Sequence, residues 1–138
     1  MFKGKFITFY GINNIGKSTH TKIFCDRLRK EGYDPIYLKY PIYDLKPSGP
    51  YINNVLRGHS QEISSDELQL WFAINRHQFE TKLKKLLAEG KTVVAEDYVG
   101  TGIAWGLTKG SNEDWLESIN GKLLKSNFSI LIDGERST

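Results

Sequence analysis

Sulfur is scarce in this chain: Cys25 is the only cysteine and Met1 the only methionine among 138 residues. A lone thiol cannot pair within the chain, which excludes a disulfide framework and points to a reducing compartment, the cytoplasm. His20, His59 and His77 share no ligand spacing with Cys25, which argues against a structural zinc. No apolar run approaches the roughly eighteen residues of a membrane span, and the opening MFKGKFITFYG is too polar and too short for a secretion signal. We therefore expect a soluble protein with no membrane partner. Proline is sparse too, and the cluster Pro47-Ser48-Gly49-Pro50 is too short for a linker, so it reads as a loop inside one domain covering residues 1–138. Neither sign of charge dominates, with 19 Lys and Arg against 16 Asp and Glu. Basic runs long enough to track a nucleic-acid backbone are missing, and Lys82, Lys84 and Lys85 look like the solvated face of a helix, so no nucleic-acid partner is expected. The small positive excess lies in the N-terminal third: residues 1–46 carry nine Lys and Arg against four Asp and Glu, residues 47–138 ten against twelve.

Strand and helix patterns alternate along the chain. Lys5 to Tyr10 is β-branched and aromatic and runs into a glycine turn, then a helix that stops at Gly32. Pro35 to Tyr40 is a second strand closed by Pro41, and a short helix follows around Tyr51 to Arg57. Ser64-Ser65-Asp66-Glu67 is a capping box, Ser64 accepting from the third helical N–H while Glu67 reaches back. It opens a long helix in which Leu68, Phe72, Phe79, Leu83, Leu86 and Leu87 recur at helical spacing up to Gly90. Thr92 to Ala95 is a short buried-type strand ending in Glu96-Asp97-Tyr98. After it come a glycine-rich loop, an amphipathic helix over Ser111 to Leu124 with Trp115, Leu116, Ile119 and Leu123 inward, and a fourth strand from Phe128 to Ile132. Strands apolar on both faces and alternating with helices imply a parallel sheet covered on both sides, an α/β doubly wound fold in three layers. Ligands bind beyond the carboxyl ends of such strands, which is where the glycine turn, Glu96-Asp97-Tyr98 and Asp133 fall.

The strongest local signal is Gly11-Ile12-Asn13-Asn14-Ile15-Gly16-Lys17-Ser18, a G-x-x-x-x-G-K-[ST] phosphate cradle with a strand before it and a helix after it. Gly11 and Gly16 let the backbone curl so that the N–H groups of Asn13, Asn14 and Ile15 face a polyphosphate. The helix opening at Lys17 adds its positive dipole end. Lys17 can reach the β- and γ-phosphates, Thr19 completes the cradle, and the Ser18 hydroxyl is placed to ligate Mg²⁺, with Glu96 a second candidate for the metal shell. Lys17 and Glu96 are thus the candidate catalytic residues. A cradle of this kind is shared by kinases, motor ATPases and switch GTPases, so it names no reaction.

A wider pattern narrows the choice. FYGINNIGKST, LKYP, LWFAINRHQ and VVAEDYVGTGIAW, in this order and at these intervals, resemble the thymidylate kinase family of P-loop nucleoside monophosphate kinases. The resemblance implies a P-loop NTPase fold, ATP as donor, Mg²⁺ as cofactor, dTMP as acceptor, nucleotides as the partners and a homodimer formed through the long helices. Carried over by position, it implies that Phe72 stacks on the base and that Arg76, one turn along the same helix face, bonds the base edge. On the residues alone a plain core aromatic explains Phe72 equally well, whereas an Arg on that face needs an anionic or polar partner. Trp105 matches an aromatic that closes over the acceptor, Lys39 stands where the family has an Arg on the acceptor phosphate, Thr101 and Gly102 fall where the pocket meets the base, and Tyr98 joins the acceptor site.

The departures carry weight. Glu96 replaces the family's Asp, and Asp97 replaces an Arg that grips the acceptor phosphate; either Mg²⁺ bridges Asp97 and the phosphate, or Lys39 takes over, or Asp97 turns away. Asn13 stands where many members carry an Asp, Tyr10 replaces a Glu, and Asn14 fills a position where some members place an Arg. Family members also continue past the fourth strand into an arginine-bearing lid, whereas this chain ends at Thr138, leaving Lys17 and Arg136 as cations for the moving phosphate. Two other readings stay open on the sequence: an ATP-binding module that has lost turnover and serves a regulatory or assembly role, and a P-loop kinase for a non-nucleotide acceptor.

Overall fold

The computed structural model describes residues 2–11 and 16–133. Its elements in chain order are β1 (Lys5–Tyr10), α1 (Lys17–Lys30), β2 (Pro35–Lys39), α2 (Ser48–Leu56), α3 (Ser65–Ala88), β3 (Thr92–Glu96), α4 (Val99–Thr108), α5 (Glu113–Asn120) and β4 (Phe128–Leu131). The strands form one sheet in the order β2-β3-β1-β4, and every pairing is parallel. Side chains alternate across the sheet as a strand's period of two demands. Phe6 of β1 with Val93 and Ala95 of β3 packs against Phe79, Leu83 and Leu87 of α3. Ile7, Phe9 and Val94 face the other way, onto Phe24, Cys25 and Leu28 of α1. Helices thus cover both faces, and the doubly wound parallel fold expected from the sequence is present.

Register decides what the sheet presents at its carboxyl edge. Lys39 and Phe9 both lie opposite Glu96, so three strands end level with one another. Hydrogen bonds continue the edge a little further, with Asp97 N–H donating to the Phe9 carbonyl at 3.0 Å and Tyr40 N–H to the Glu96 carbonyl at 3.0 Å.

Several boundaries differ from the sequence reading. The expected glycine-rich loop after β3 is helix α4. Its glycines serve close packing: a Cβ on Gly102 would lie 2.2 Å from Nη2 of Arg76, and one on Gly106 2.7 Å from Cδ1 of Leu116. The helix-propensity cost of each glycine, about 1 kcal/mol, is what lets α4 approach α3 and α5. The Pro47–Pro50 cluster is not a loop throughout, because α2 starts at Ser48. Pro50 falls in its first turn, where an N–H has no intrahelical partner to lose. Helix α5 stops at Asn120, short of Leu124, and the Leu124 N–H is taken instead by the Glu80 carboxylate at 3.1 Å. Half of the capping box forms: Ser64 Oγ accepts from Glu67 N–H at 3.1 Å, while the Glu67 carboxylate turns to Trp71 Nε1 at 3.2 Å. Strand β4 has neighbours on one side only among the described residues and leaves Phe128 and Leu131 exposed, unlike the fully covered strand expected. None of the described helices is long and apolar enough to cross a membrane.

Candidate active site

The donor end is built where β1 passes into α1. Gly16, at φ 83°, is the left-handed residue before α1, a conformation that costs glycine nothing. Asn13, Asn14 and Ile15 lie outside the described residues, as does Arg136. Thr19 is exposed on the first turn of α1. Lys17 is buried, and its Nζ donates to the Gly11 carbonyl at 2.9 Å and to Asp97 Oδ1 at 2.8 Å. Next to it, Ser18 Oγ donates to Glu96 Oε1 at 2.6 Å, and the Tyr37 hydroxyl donates to Glu96 Oε2.

Glu96 is fully buried, with Lys39 Nζ at 3.7 Å from Oε1. Burial by itself would raise its carboxyl. The hydrogen bonds from Ser18 and Tyr37, helped by the Lys39 and Lys17 charges, outweigh that and hold it below the ordinary glutamate range. Tyr37 answers in the opposite sense, its phenol raised by burial and by the Glu96 carboxylate it serves. Glu96 is therefore an anion at neutral pH. A hydroxyl and a carboxylate oxygen this close are a hard, all-oxygen pair. They suit Mg²⁺, which binds few protein ligands and keeps water and phosphate oxygens in its other positions.

Asp97 follows Glu96 directly at the end of β3. It adopts the left-handed region at φ 64°, tolerable for Asp, and turns its carboxylate onto Lys17 while accepting from Thr101 Oγ1 at 2.9 Å.

Asp97 also lines a cavity of about 800 Å³ that opens beside the donor end. Lys39 enters it from the end of β2, and Phe72 and Arg76 from α3. Tyr98, Thr101, Gly102 and Trp105 line it from the end of β3 and from α4. Every residue assigned to an acceptor on the sequence thus lines one cavity. Trp105 is half exposed there, with Lys109 Nζ 5.8 Å from its ring centroid. Tyr98 is wedged between Phe6 and Tyr40, and its hydroxyl donates to the Leu124 carbonyl at 2.8 Å. Arg76 is buried, and its Nη1 donates to Asn120 Oδ1 at 2.8 Å while its Nε has no hydrogen-bond partner among the described residues. Burial lowers its pKa to about 10, partly offset by Tyr98, Tyr10, Tyr40 and Asp97, so the guanidinium stays charged at neutral pH.

Sequence reasoning missed the residues that hold this wall in place. Asn75, inside the quoted FAINR segment, accepts from Ile42 N–H at 2.7 Å and donates to the Ile42 carbonyl at 2.9 Å and to Ser48 Oγ at 2.9 Å. It pins the segment after β2 to α3. Asn120 orients Arg76 from 44 positions away, and nothing local in the sequence signals that. Gln69 lines the same cavity and is buried. Its spacing from Phe72 and Arg76, three and seven residues, would have placed it on their helix face.

Comparison with known proteins agrees with this geometry. A family model described as thymidylate kinase matches residues 9–138. The chain is 26% identical over 133 residues to the putative thymidylate kinase 251L of Invertebrate iridescent virus 6, covering 96% of this chain and 62% of that protein. To the thymidylate kinase of Burkholderia mallei it is 32% identical over 124 residues, covering 86% of this chain and 59% of the relative. It thus spans about three fifths of the length of these curated relatives. Among solved structures, thymidylate kinase from Candida albicans superposes with a TM-score of 0.82 at 26% identity, over 94% of this chain and 63% of that one. Thymidylate kinase from Ehrlichia chaffeensis shares the fold at a TM-score of 0.82 and 22% identity, over 96% of this chain and 77% of that one.

Proposed function

Because the chain belongs to the thymidylate kinase family, we propose that it moves the γ-phosphate of ATP onto a pyrimidine deoxynucleoside monophosphate, with dTMP as acceptor and dTDP as product. One observation carries the reading: Asp97 belongs to both halves of the site, bonded to Lys17 of the phosphate cradle at 2.8 Å and lining the cavity that holds Phe72 and Arg76. Donor and acceptor therefore meet within one ion pair of each other.

The transfer is in line, an acceptor phosphate oxygen forming the new bond to Pγ as the bond from Pγ to ADP breaks. Little covalent work falls to the protein, which positions and neutralises. Lys17, drawn from Asp97 by the polyphosphate, meets the charge on the β- and γ-phosphates. Gly11, Gly16 and Thr19 frame the donor with the turn residues Asn13, Asn14 and Ile15. Ser18 and Glu96 would hold Mg²⁺, which when bound neutralises phosphate charge. Phe72 stacks on the base, Arg76 donates to its edge, and Trp105, Tyr98, Thr101 and Gly102 enclose it. With Asp97 in place of the family's Arg, Lys39 is the cation at the cavity mouth for the acceptor phosphate. The reading puts the enzyme in the cytoplasm, as a homodimer through α3. Leu70 and Ile74, one turn apart on that helix and 41% and 40% exposed, support the latter.

The test is ADP release coupled to a panel of nucleoside monophosphates. Production of ADP should rise above its rate with water alone on adding dTMP, and Lys17→Ala should lower it by about a hundredfold or more. No rise with any monophosphate refutes the kinase reading. The Lys17–Asp97 pair also favours a second reading, a nucleotide-binding module without turnover, since it ties up the donor lysine with the residue that replaces an acceptor-binding Arg. Calorimetric titration separates the two: tight ATP binding with no monophosphate binding supports the module.

A further inference from the structure

Three buried side-chain polar atoms lack a hydrogen-bond partner among the described residues: the Tyr40 hydroxyl, Gln69 Oε1 and Arg76 Nε. All three belong to residues that line the acceptor cavity. Native structures keep few buried polar groups unpaired, and those they keep call for an explanation. Of the two without a role so far, the Tyr40 hydroxyl and Gln69 Oε1, it is Gln69 that shares a helix with Arg76. Its side chain is 4% exposed, so water does not generally bathe it. It stands on the same face of α3 as Phe72 and Arg76, with Phe72 between the two polar residues.

The chemistry of Gln69, Phe72 and Arg76 defines a complementary ligand. A guanidinium only donates, so Arg76 requires an acceptor on the ligand. Gln69 Oε1 accepts and therefore requires an N–H or O–H. A flat apolar ring between them suits Phe72. An imide, with a keto oxygen beside a ring N–H, meets all of these at once. Cytosine does not: it turns an exocyclic amino donor toward the donors of Arg76 and offers an unprotonated ring nitrogen to Oε1. Gln69 can rotate its amide to serve cytosine, but Arg76 has no acceptor to offer, and the two could not be satisfied together.

We infer that Gln69 is a specificity-determining residue that reads the N3–H of an imide pyrimidine, thymine or uracil, while Arg76 takes the adjacent keto oxygen. The inference rests on the proposed acceptor site. It adds to that reading the residue that separates imide bases from cytosine.

Titration calorimetry of dTMP, dUMP and dCMP on the full chain tests it, with Gln69→Leu and the longer Gln69→Met as two independent removals of the amide. Loss of this hydrogen bond should weaken dTMP and dUMP about tenfold, leave dCMP within about twofold, and leave ATP affinity unchanged. In turnover the KM for dTMP should rise with kcat largely kept. The ligand-free melting temperature should hold or rise, because a buried amide whose oxygen is unpaired has been exchanged for an apolar group; a merely structural glutamine would lower it. A wild-type protein that binds dTMP, with both variants binding it equally well or losing dCMP to the same degree, overturns the role of Gln69 alone. A wild-type protein that binds ATP but no monophosphate overturns the acceptor site and this inference with it.

Discussion

Replacing Asp97 by Asn should tighten ATP binding. In the ligand-free molecule Lys17 is held by Asp97 at 2.8 Å, with the two side chains 7% and 13% exposed, so the polyphosphate must displace a shielded ion pair to reach the lysine. Lys17 stays charged and can still donate to a neutral amide, so only the ion-pair part of the hold is lost, about 0.5–1 kcal/mol. Asp97→Asn releases that hold, which converts to roughly a two- to fivefold gain in ATP affinity. Removing a carboxylate beside the phosphates acts in the same direction, so this range is a lower bound. Salt should screen the effect weakly because the pair is shielded. Calorimetric titration of Mg-ATP on both proteins measures it, and urea unfolding of the ligand-free proteins should show the variant less stable by about 1 kcal/mol. A folded Asp97→Asn protein that binds ATP with unchanged or weaker affinity would refute the reasoning and would mean that Asp97 supports Lys17 rather than occupying it.

Two further predictions concern the acceptor wall and the metal shell. Gly102→Ala would set a Cβ 2.2 Å from Nη2 of an Arg76 whose Nη1 is tied to Asn120. Overpacking costs about 1–3 kcal/mol, more than the helix-propensity gain of about 1. A lower melting temperature and at least tenfold weaker dTMP binding at unchanged ATP affinity are expected; full dTMP affinity would show that the position of Arg76 does not matter. Glu96 is held below the ordinary glutamate value of 4.5, so between its folded and unfolded pKa values the unfolded chain binds more protons, and stability falls as pH drops. Its contribution is complete above about pH 5 and is lost below that, so Glu96→Gln should flatten the acid limb of a melting-temperature profile. An acid limb of unchanged slope in the variant would show that Glu96 is not the group responsible.

The elements that were easiest to read are those whose pattern is local. Lys5–Tyr10 with its glycine turn, the long helix closed at Gly90, and the Thr92–Glu96 strand depend on side-chain period and on chirality at glycine, properties that act within a few residues. Helix α4 escaped because glycine carries two meanings. Locally it signals a turn, yet Gly102 and Gly106 are there for the room they leave beside Arg76 and Leu116, which come from other helices. The end of α5 was misplaced for a related reason, since Glu80 of α3 takes over the Leu124 N–H.

The cradle motif and the residue types at each strand end were determined by the sequence alone, because phosphate recognition depends on a short run of backbone N–H groups and one lysine. Tertiary structure decided what those groups do to one another. The parallel register sets Glu96 level with Lys39, and the closing of α1 against β3 brings Ser18 to Glu96 and Lys17 to Asp97, over separations of 78 and 80 residues. Likewise only the packing of α3, α4 and α5 aims Arg76 into the cavity and leaves Gln69 Oε1 beside it with no partner among the described residues. Hydrogen bonds and ion pairs act over a few ångströms of space, and chain order carries no record of which distant side chains folding will bring within that reach.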